Sequence, residues 1–532
     1  MTVRSNAVNT TTARYAPGPE QIKPVFTFLF ALLVAAIYGL NLHAGQDWSG
    51  DFSQYIHHAK NLVEGKNYLD TGFIVSSLAI FVGPYAYPPV FPLLLTPVYW
   101  LYGLDLEAMK PVGIACLCVA LLVMPRLFAY QLNRWQQFTI IVLVAANPFF
   151  WEYRNYILSD YCFIVMAYLA LYLMLQLFNS RDKQQGTASA RTLLLSGLIG
   201  FVSYLTYGSR EIGIIMPLCV IAYEIVSTRK ITWISIVSTA TFGIFFYLQH
   251  RLLDGDLTPV DIQQNLARII EKDAIPSADS HLDFISIDPQ AILARIQGYR
   301  WALQEFLPFN GNQSIEILDS LLFNLATLMA LCGYIMALFK KITVLEIFFA
   351  GYVAVLLLFG APPTARYLMP LFPLTLYYVL VAYQYLLPSN PYRIKTLFAV
   401  VLLGAIAISY GYAFATQPYD KLTKGVSHPD AVAMFDFVRN HTAADDTMVF
   451  LKPRTLSLFT GRTSVGYRRT AAPTPEQTDE FFDAVKGDYY IDINLDIWIY
   501  PLINSAPPSA SFHEVFRNPH FAIYHYQPKR EG

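Results

Sequence analysis

The sequence predicts an all-α polytopic membrane domain of about eleven transmembrane helices, followed by a small extracytoplasmic α/β domain. Three observations lead there. Of 532 residues, 55% are hydrophobic and only 14% are charged, against roughly 25% charged in soluble domains. Apolar runs of spanning length, about 20 residues, recur between residues 24 and 415. Beyond 416 the chain turns polar and alternates between helical and strand patterns. The net charge of −1 and the apolar content exclude a disordered chain and a nucleic-acid binder with a basic face.

The apolar runs lie near 24–42, 109–131, 134–151, 157–179, 192–207, 211–227, 231–249, 316–339, 343–361, 366–387 and 396–415. The first lacks a small-residue cleavage site and reads as an anchor. Basic residues in short loops set orientation. With the tail 1–23 (Arg4, Arg14, Lys23) in the cytoplasm, five alternate turns all fall inside. They carry Arg126 and Arg134; Arg181, Lys183 and Arg191; Arg229 and Lys230; Lys340 and Lys341; Arg393 and Lys395. This requires the proline-rich segment 88–103 to be a juxtamembrane or re-entrant helix that does not cross fully. The domain 24–415 then exposes outer loops 43–108 and 250–315, and 416–532 lies outside as well. The five cysteines (Cys116, Cys118, Cys162, Cys219, Cys332) fall in apolar segments, where a thiol acts as a small hydrophobe.

In the first outer loop a helical pattern starts at Asp51, with Phe52, Tyr55, Ile56, Ala59, Leu62 and Val63 on one face. It is too short and polar to span, so it is expected along the membrane surface with Asp51 as its N-cap. Lys60 in the same helix is a candidate contact for an anionic substrate. Tyr85, Tyr87, Tyr99 and Trp100 surround Pro88-Pro89 as interfacial aromatics, and Tyr87 is the substrate-binding candidate among them.

Charges then gather at the outer ends of helices: Glu152 and Arg154, Asp160, Arg210 and Glu211, and Arg366. Ionisable residues at membrane depth pair with one another or serve a function. Any one of them reads as a snorkelling or ion-paired side chain. Three arginines with several carboxylates on one face suit a phosphate, which guanidinium groups bind bidentately.

The loop 250–315 combines an acidic stretch, Asp254 to Asp261, with an amphipathic helix over Gln290 to Phe306. In the tail, helices are expected near 429–440, 453–460 and 476–486, and strands near 447–451, 488–494 and 521–527. No nucleophile triad, metal-ligand cluster or phosphate loop is legible in it.

Taken in order, Asp51-Phe-Ser-Gln-Tyr-Ile, Tyr87-Pro-Pro-Val-Phe-Pro, Asn147-Pro-Phe-Phe, Ile157-Leu-Ser-Asp and Ala365-Arg-Tyr-Leu-Met-Pro carry a resemblance. The chain over about 20–415 resembles the integral-membrane GT-C glycosyltransferases, in the branch of bacterial aminoarabinose and galacturonic acid transferases and protein O-mannosyltransferases. The resemblance implies a polyprenyl-phosphate sugar donor, an extracytoplasmic glycan, lipid or protein acceptor, and residence in the bacterial inner membrane. It implies Asp51 as catalytic acidic residue, Asp160 as the second acid that helps hold substrate or metal, and Arg366 at the donor phosphate. Many members carry two adjacent acids at the first position, whereas Phe52 follows Asp51 here. Either Asp47 is the second acid or there is none, so a divalent metal ion stays open as cofactor. The implied chemistry is a single displacement with inversion, Asp51 acting as base. The alternatives are a transporter, which predicts internal repeats and charges near the midplane, and a non-catalytic membrane scaffold.

Overall fold

A computed structural model describes residues 21–74, 84, 86–181, 189–253, 287–306, 313–360, 362–386, 392–417, 425–466, 475–493 and 510–527. The N-terminal tail 1–20, Lys183, Tyr85 and the acidic stretch Asp254 to Asp261 lie outside the described residues.

Among the described residues, six helices are long and apolar enough to cross a membrane: Leu106–Phe128, Asp160–Asn179, Ala190–Ser209, Glu211–Thr228, Ser320–Lys340 and Ile394–Thr416. Shorter apolar helices run over Pro24–Gly39, Val90–Tyr102 and Val344–Leu358. Asp160–Asn179 is central, with 72% of its apolar window buried, whereas Ile394–Thr416 is peripheral, with 11% buried. Leu397, Val400, Val401 and Ile408 of the peripheral helix are exposed. Such a continuous apolar face belongs in lipid. The chain is a membrane protein.

Prolines divide two of the expected runs. Residues 134–151 form Arg134–Ala145 and then Pro148–Tyr153, where Asn147 accepts hydrogen bonds from the Phe149 and Phe150 amides and Pro148 takes the first helical position. Residues 366–387 form Ala365–Leu368 and Phe372–Leu386. Pro370 lies between them, and its carbonyl accepts a 2.8 Å hydrogen bond from the buried Tyr168 hydroxyl. Val90–Tyr102 has 13 residues, about 20 Å of helix against a hydrocarbon core of about 30 Å. Its start (Val90, Phe91, Leu95) is buried, and its end (Trp100, Leu101, Tyr102) is exposed.

The C-terminal segment contains helices Pro429–His441, Pro453–Thr460 and Pro475–Val485. They accompany a sheet ordered β1-β3-β2-β4-β6-β5. The strands are β1 Phe73–Ile74, β2 Thr447–Phe450, β3 Thr463–Val465, β4 Tyr489–Ile493, β5 Phe512–Arg517 and β6 Phe521–Tyr526. β1, β3, β2 and β4 run parallel, and β6 and β5 are antiparallel additions. β1 comes from the first outer loop, so the sheet is shared between two distant parts of the chain. Three strands, β1, β3 and β5, were not legible in the sequence. β1 and β3 are too short to show a period.

Trp48 of the first loop is buried among Phe435, Phe450 and Phe521, with ring centroids 5.9–6.0 Å away. Val426 N donates to the Gln46 carbonyl at 3.0 Å and Ser464 N to the Gly72 carbonyl at 2.8 Å. Gly72 has φ +63, and a Cβ there would lie 2.2 Å from Ser457 Oγ. Only glycine meets both demands.

This docking corrects the surface-helix expectation. In helix Gly50–Glu64 every residue from Phe52 to Ala59 is buried, as is Asn61. Its apolar face meets the helix bundle, and Pro453–Thr460 packs against the same helix. The polar side chains survive burial because they are hydrogen-bonded. Gln54 donates to Thr71 Oγ1 at 3.2 Å, and Asn61 to the Asp70 carbonyl at 2.6 Å.

Candidate active site

Asp51 is not the N-cap expected of it. The helix starts at Gly50 with Ser49 as N-cap, and no side chain caps it. Asp51 sits in the first turn with its carboxylate turned to other partners. Oδ1 accepts a 2.6 Å hydrogen bond from the Tyr87 hydroxyl, and Oδ2 is ion-paired with Arg366 Nη1.

Arg366 opens the short helix Ala365–Leu368. Besides Asp51, its Nε donates to Asp160 Oδ2 at 2.8 Å. Asp160 stands in the first turn of the central span, where the helix dipole favours an anion. Its other oxygen is paired with Arg210, which leaves the Ala190–Ser209 span in an extended conformation, φ −157. The order is Arg210–Asp160–Arg366–Asp51–Tyr87, a chain of charge-assisted hydrogen bonds in which all four carboxylate oxygens are occupied. Asp160 is the most enclosed member, its side chain 2% exposed, while Arg366 and Asp51 keep 17% and 22%.

A fifth charge was missed by sequence reasoning. Arg454, at the start of helix Pro453–Thr460 in the C-terminal segment, places Nη1 3.9 Å from Asp51 Oδ1 and 3.4 Å from the Tyr87 hydroxyl. It lies over the rings of Phe73 and Tyr87, at 5.2 and 5.4 Å, and is 1% exposed. Locally, Lys452-Pro453-Arg454 looks like any helix start.

Burial raises the Asp51 carboxyl, but Arg366, the Tyr87 and Arg366 hydrogen bonds and Arg454 together hold it down to about 2. Burial, reinforced by Asp51, pushes the Tyr87 phenol well up, so it stays a donor. Tyr87 is itself held by His58. The ring stacks on Tyr68 at 4.0 Å, contacts the Tyr68 carbonyl through Nδ1 at 2.8 Å and accepts the Tyr87 amide on Nε2 at 3.2 Å. Burial drops His58 to about 3, which keeps it neutral.

The remaining predicted residues are placed elsewhere. Lys60 lies nine positions after Asp51, about 180° round the helix. Asp47 accepts hydrogen bonds from Gln46 Nε2 at 3.0 Å and Ser49 Oγ at 2.7 Å; it shapes the loop before the helix. Arg154 is turned into the bundle, where it donates to the carbonyls of Tyr38, Leu40 and Asn41 and covers the Trp151 ring at 3.7 Å. That is the C-terminus of the first helix, whose free carbonyls favour a cation. Glu211 follows Arg210 with its side chain exposed. In the cluster itself two carboxylates face three guanidinium groups, so the donor set is electropositive and suits an anion better than a metal cation.

No protein-family model and no curated protein matches the chain. Solved structures do. The archaeal oligosaccharyltransferase AglB from Archaeoglobus fulgidus, in complex with an inhibitory peptide and a dolichol-phosphate, aligns over 88% of this chain and 69% of its own. The TM-score is 0.57 at 11% identity. ArnT from Cupriavidus metallidurans aligns over 94% of this chain and 97% of its own. Its apo form gives a TM-score of 0.52 at 15% identity, and its undecaprenyl phosphate complex 0.50 at 14%. At such identities the likeness is one of fold, and it runs through both the helix bundle and the C-terminal segment. The chain shares its fold with AglB and ArnT.

Proposed function

We propose that the protein is a membrane glycosyltransferase that moves a sugar from a polyprenyl-phosphate donor to an acceptor hydroxyl on the extracytoplasmic face. The observation that carries this reading is Arg366 bridging Asp51 and Asp160 at one end of the bundle. AglB and ArnT, which share the fold, were each solved with a polyprenyl phosphate. Basic turns on the opposite side support reading this end as extracytoplasmic, in a bacterial inner membrane. No nucleotide sugar is available there, so the sugar must arrive activated on a lipid.

In the chemistry we infer, the donor phosphate enters beside Arg366 and Arg210 and competes with the carboxylates for their guanidinium groups. Asp51 paired to Arg366 is a weak base, since its carboxyl is held near 2. Loss of that pairing raises its basicity when substrate is present. The acceptor oxygen attacks the anomeric carbon, its proton passes to Asp51, and the carbon–oxygen bond to the phosphate breaks. Polyprenyl phosphate leaves with its new charge stabilised by the arginines. Attack opposite the leaving group gives inversion. Asp160 keeps Arg366 and Arg210 in place.

The test is transfer from synthetic polyprenyl-phosphate sugars by the protein in liposomes, wild type beside Asp51→Asn. Transfer by the wild type, lost in the variant while it stays folded and inserted, supports the reading and identifies the sugar. Equal turnover by both removes Asp51 as base. Failure of every donor to bind or turn over would favour the scaffold alternative.

A further inference from the structure

The tail contains a grouping that its sequence does not reveal. His428 is the N-cap of helix Pro429–His441, Asp430 lies in its first turn, and His520 stands in the turn between β5 and β6. Folding brings one ligand atom of each within 4.8 Å of the others, the one such grouping of metal-ligating side chains among the described residues. No metal-ligand cluster is legible in the tail's sequence, and folding sets these three candidate side chains together. His428 and Asp430 form a His-x-Asp pair, and the third ligand is 90 residues further on.

The arrangement is built before any ion arrives. Asn518 donates to the Asp430 carbonyl at 2.9 Å, and its Oδ1 accepts the His520 amide at 3.1 Å and the Phe521 amide at 2.8 Å. The backbone of the turn is therefore tied to the start of the helix independently of the three side chains. The His428 and His520 rings lie 4.7 Å apart at 85°. His520 Nδ1 is hydrogen-bonded to Asp430 Oδ2. His428 Nδ1, whose lone pair accepts a 3.2 Å hydrogen bond from Asp430 N, is 4.0 Å from that same oxygen. The two imidazoles thus converge on one carboxylate oxygen, and an ion there would replace the Asp430 N–H at the single His428 Nδ1 lone pair.

We propose that His428, Asp430 and His520 bind a divalent transition metal, zinc being the natural fit for two imidazoles and one carboxylate. Ligands on one tetrahedral zinc lie about 3.4 Å apart, given metal–ligand bonds of about 2.0–2.2 Å. Closing the set from within 4.8 Å takes side-chain rotation by up to about 1.4 Å, which side chains 23%, 23% and 27% exposed can make. The same exposure leaves room for water as fourth ligand. The ion is a clip: it joins the point where the chain enters the C-terminal segment to its last hairpin. Phe521, next to His520, packs on Trp48 of the first outer loop, so the clip braces the docking that delivers Arg454 to Asp51.

The experiment is zinc stoichiometry of the full chain in detergent, stripped with chelator, re-equilibrated with zinc chloride and passed through gel filtration. Wild type and Asp51→Asn are expected to retain one zinc per chain, and the monodisperse variants His520→Asn and His428→Gln none. Zinc should also raise the melting temperature of the wild type but not of those two. No retention by the wild type would overturn the proposal and leave an Asp430–His520 hydrogen bond only. Retention by both histidine variants, or loss in Asp51→Asn instead, would overturn it too. None of these readouts depends on sugar transfer.

Discussion

Arg454 of the C-terminal segment lies 3.9 Å from Asp51, so a charge from near the end of the chain completes the environment of an acid from near its start. The segment is thus a wall of the site. Its helix Pro453–Thr460 buries the polar face of helix Gly50–Glu64, and its sheet recruits β1 from the first outer loop.

Arg454→Gln is expected to lower kcat with little change in the donor concentration needed for half-saturation, because it touches Asp51 and Tyr87 and not the phosphate end. A fall of about 10-fold would correspond to about 1.4 kcal/mol. Steady-state kinetics in liposomes measure it, and an equal loss in Arg454→Lys would show that the planar fork over Tyr87 matters as well as the charge.

Asp51→Asn should cost about 100-fold or more in transfer, the usual range for losing a general base. Arg366→Ala should be worse for the protein as a whole. It strands the enclosed Asp160 beside a single guanidinium, and breaking a buried pair costs about 3–5 kcal/mol. A lower melting temperature in detergent for Arg366→Ala but not for Asp51→Asn is the expected pattern. Equal melting temperatures would mean the bridge contributes little to stability.

Acid sensitivity should show two overlapping windows, the higher one beginning near pH 6.5 and the lower one near pH 4. His57 and His58 are buried and held near 3, below their ordinary value of 6.5. Unfolding therefore takes up protons, and the stability they confer is present above about pH 6.5 and lost progressively as pH falls toward 3. Asp51 is also depressed, to about 2 from 3.8. Its contribution holds above about pH 4 and disappears only between there and pH 2. Melting temperature against pH for His57→Gln/His58→Gln should be flatter than wild type between 6.5 and 4. Asp51→Asn should differ from wild type in slope only below 4.

Gly72→Ala tests the docking. The left-handed backbone alone costs about 1–2 kcal/mol for a non-glycine residue, and the clash with Ser457 adds to it. Gly461 shares the left-handed conformation, φ +70, with nothing within 4 Å, so Gly461→Ala isolates the backbone cost. Limited proteolysis should release the C-terminal segment faster from Gly72→Ala than from Gly461→Ala. Equal rates would mean that the interface yields without loss.

The apolar runs, their basic turns and the polar tail were readable in the sequence because each depends on local composition and period. Helices such as Pro429–His441 and Pro453–Thr460 and strands such as Tyr489–Ile493 lie where the tail's alternation put them. The acids and arginines were visible as charges that membrane-depth segments do not carry without cause. What local pattern could not supply was pairing. Asp51 looked like a cap because a carboxylate at a helix start usually is one; a distant arginine claims it here. Lys60 and Arg154 had the right charge on the wrong side of their helices, and Arg454 and the His428–Asp430–His520 group depend on how the tail folds back. Composition and hydrophobic period act over one or two helical turns, so the sequence by itself determined a membrane bundle with a polar C-terminal appendage. Which charges meet depends on contacts between residues hundreds of positions apart, and only the tertiary structure decided those.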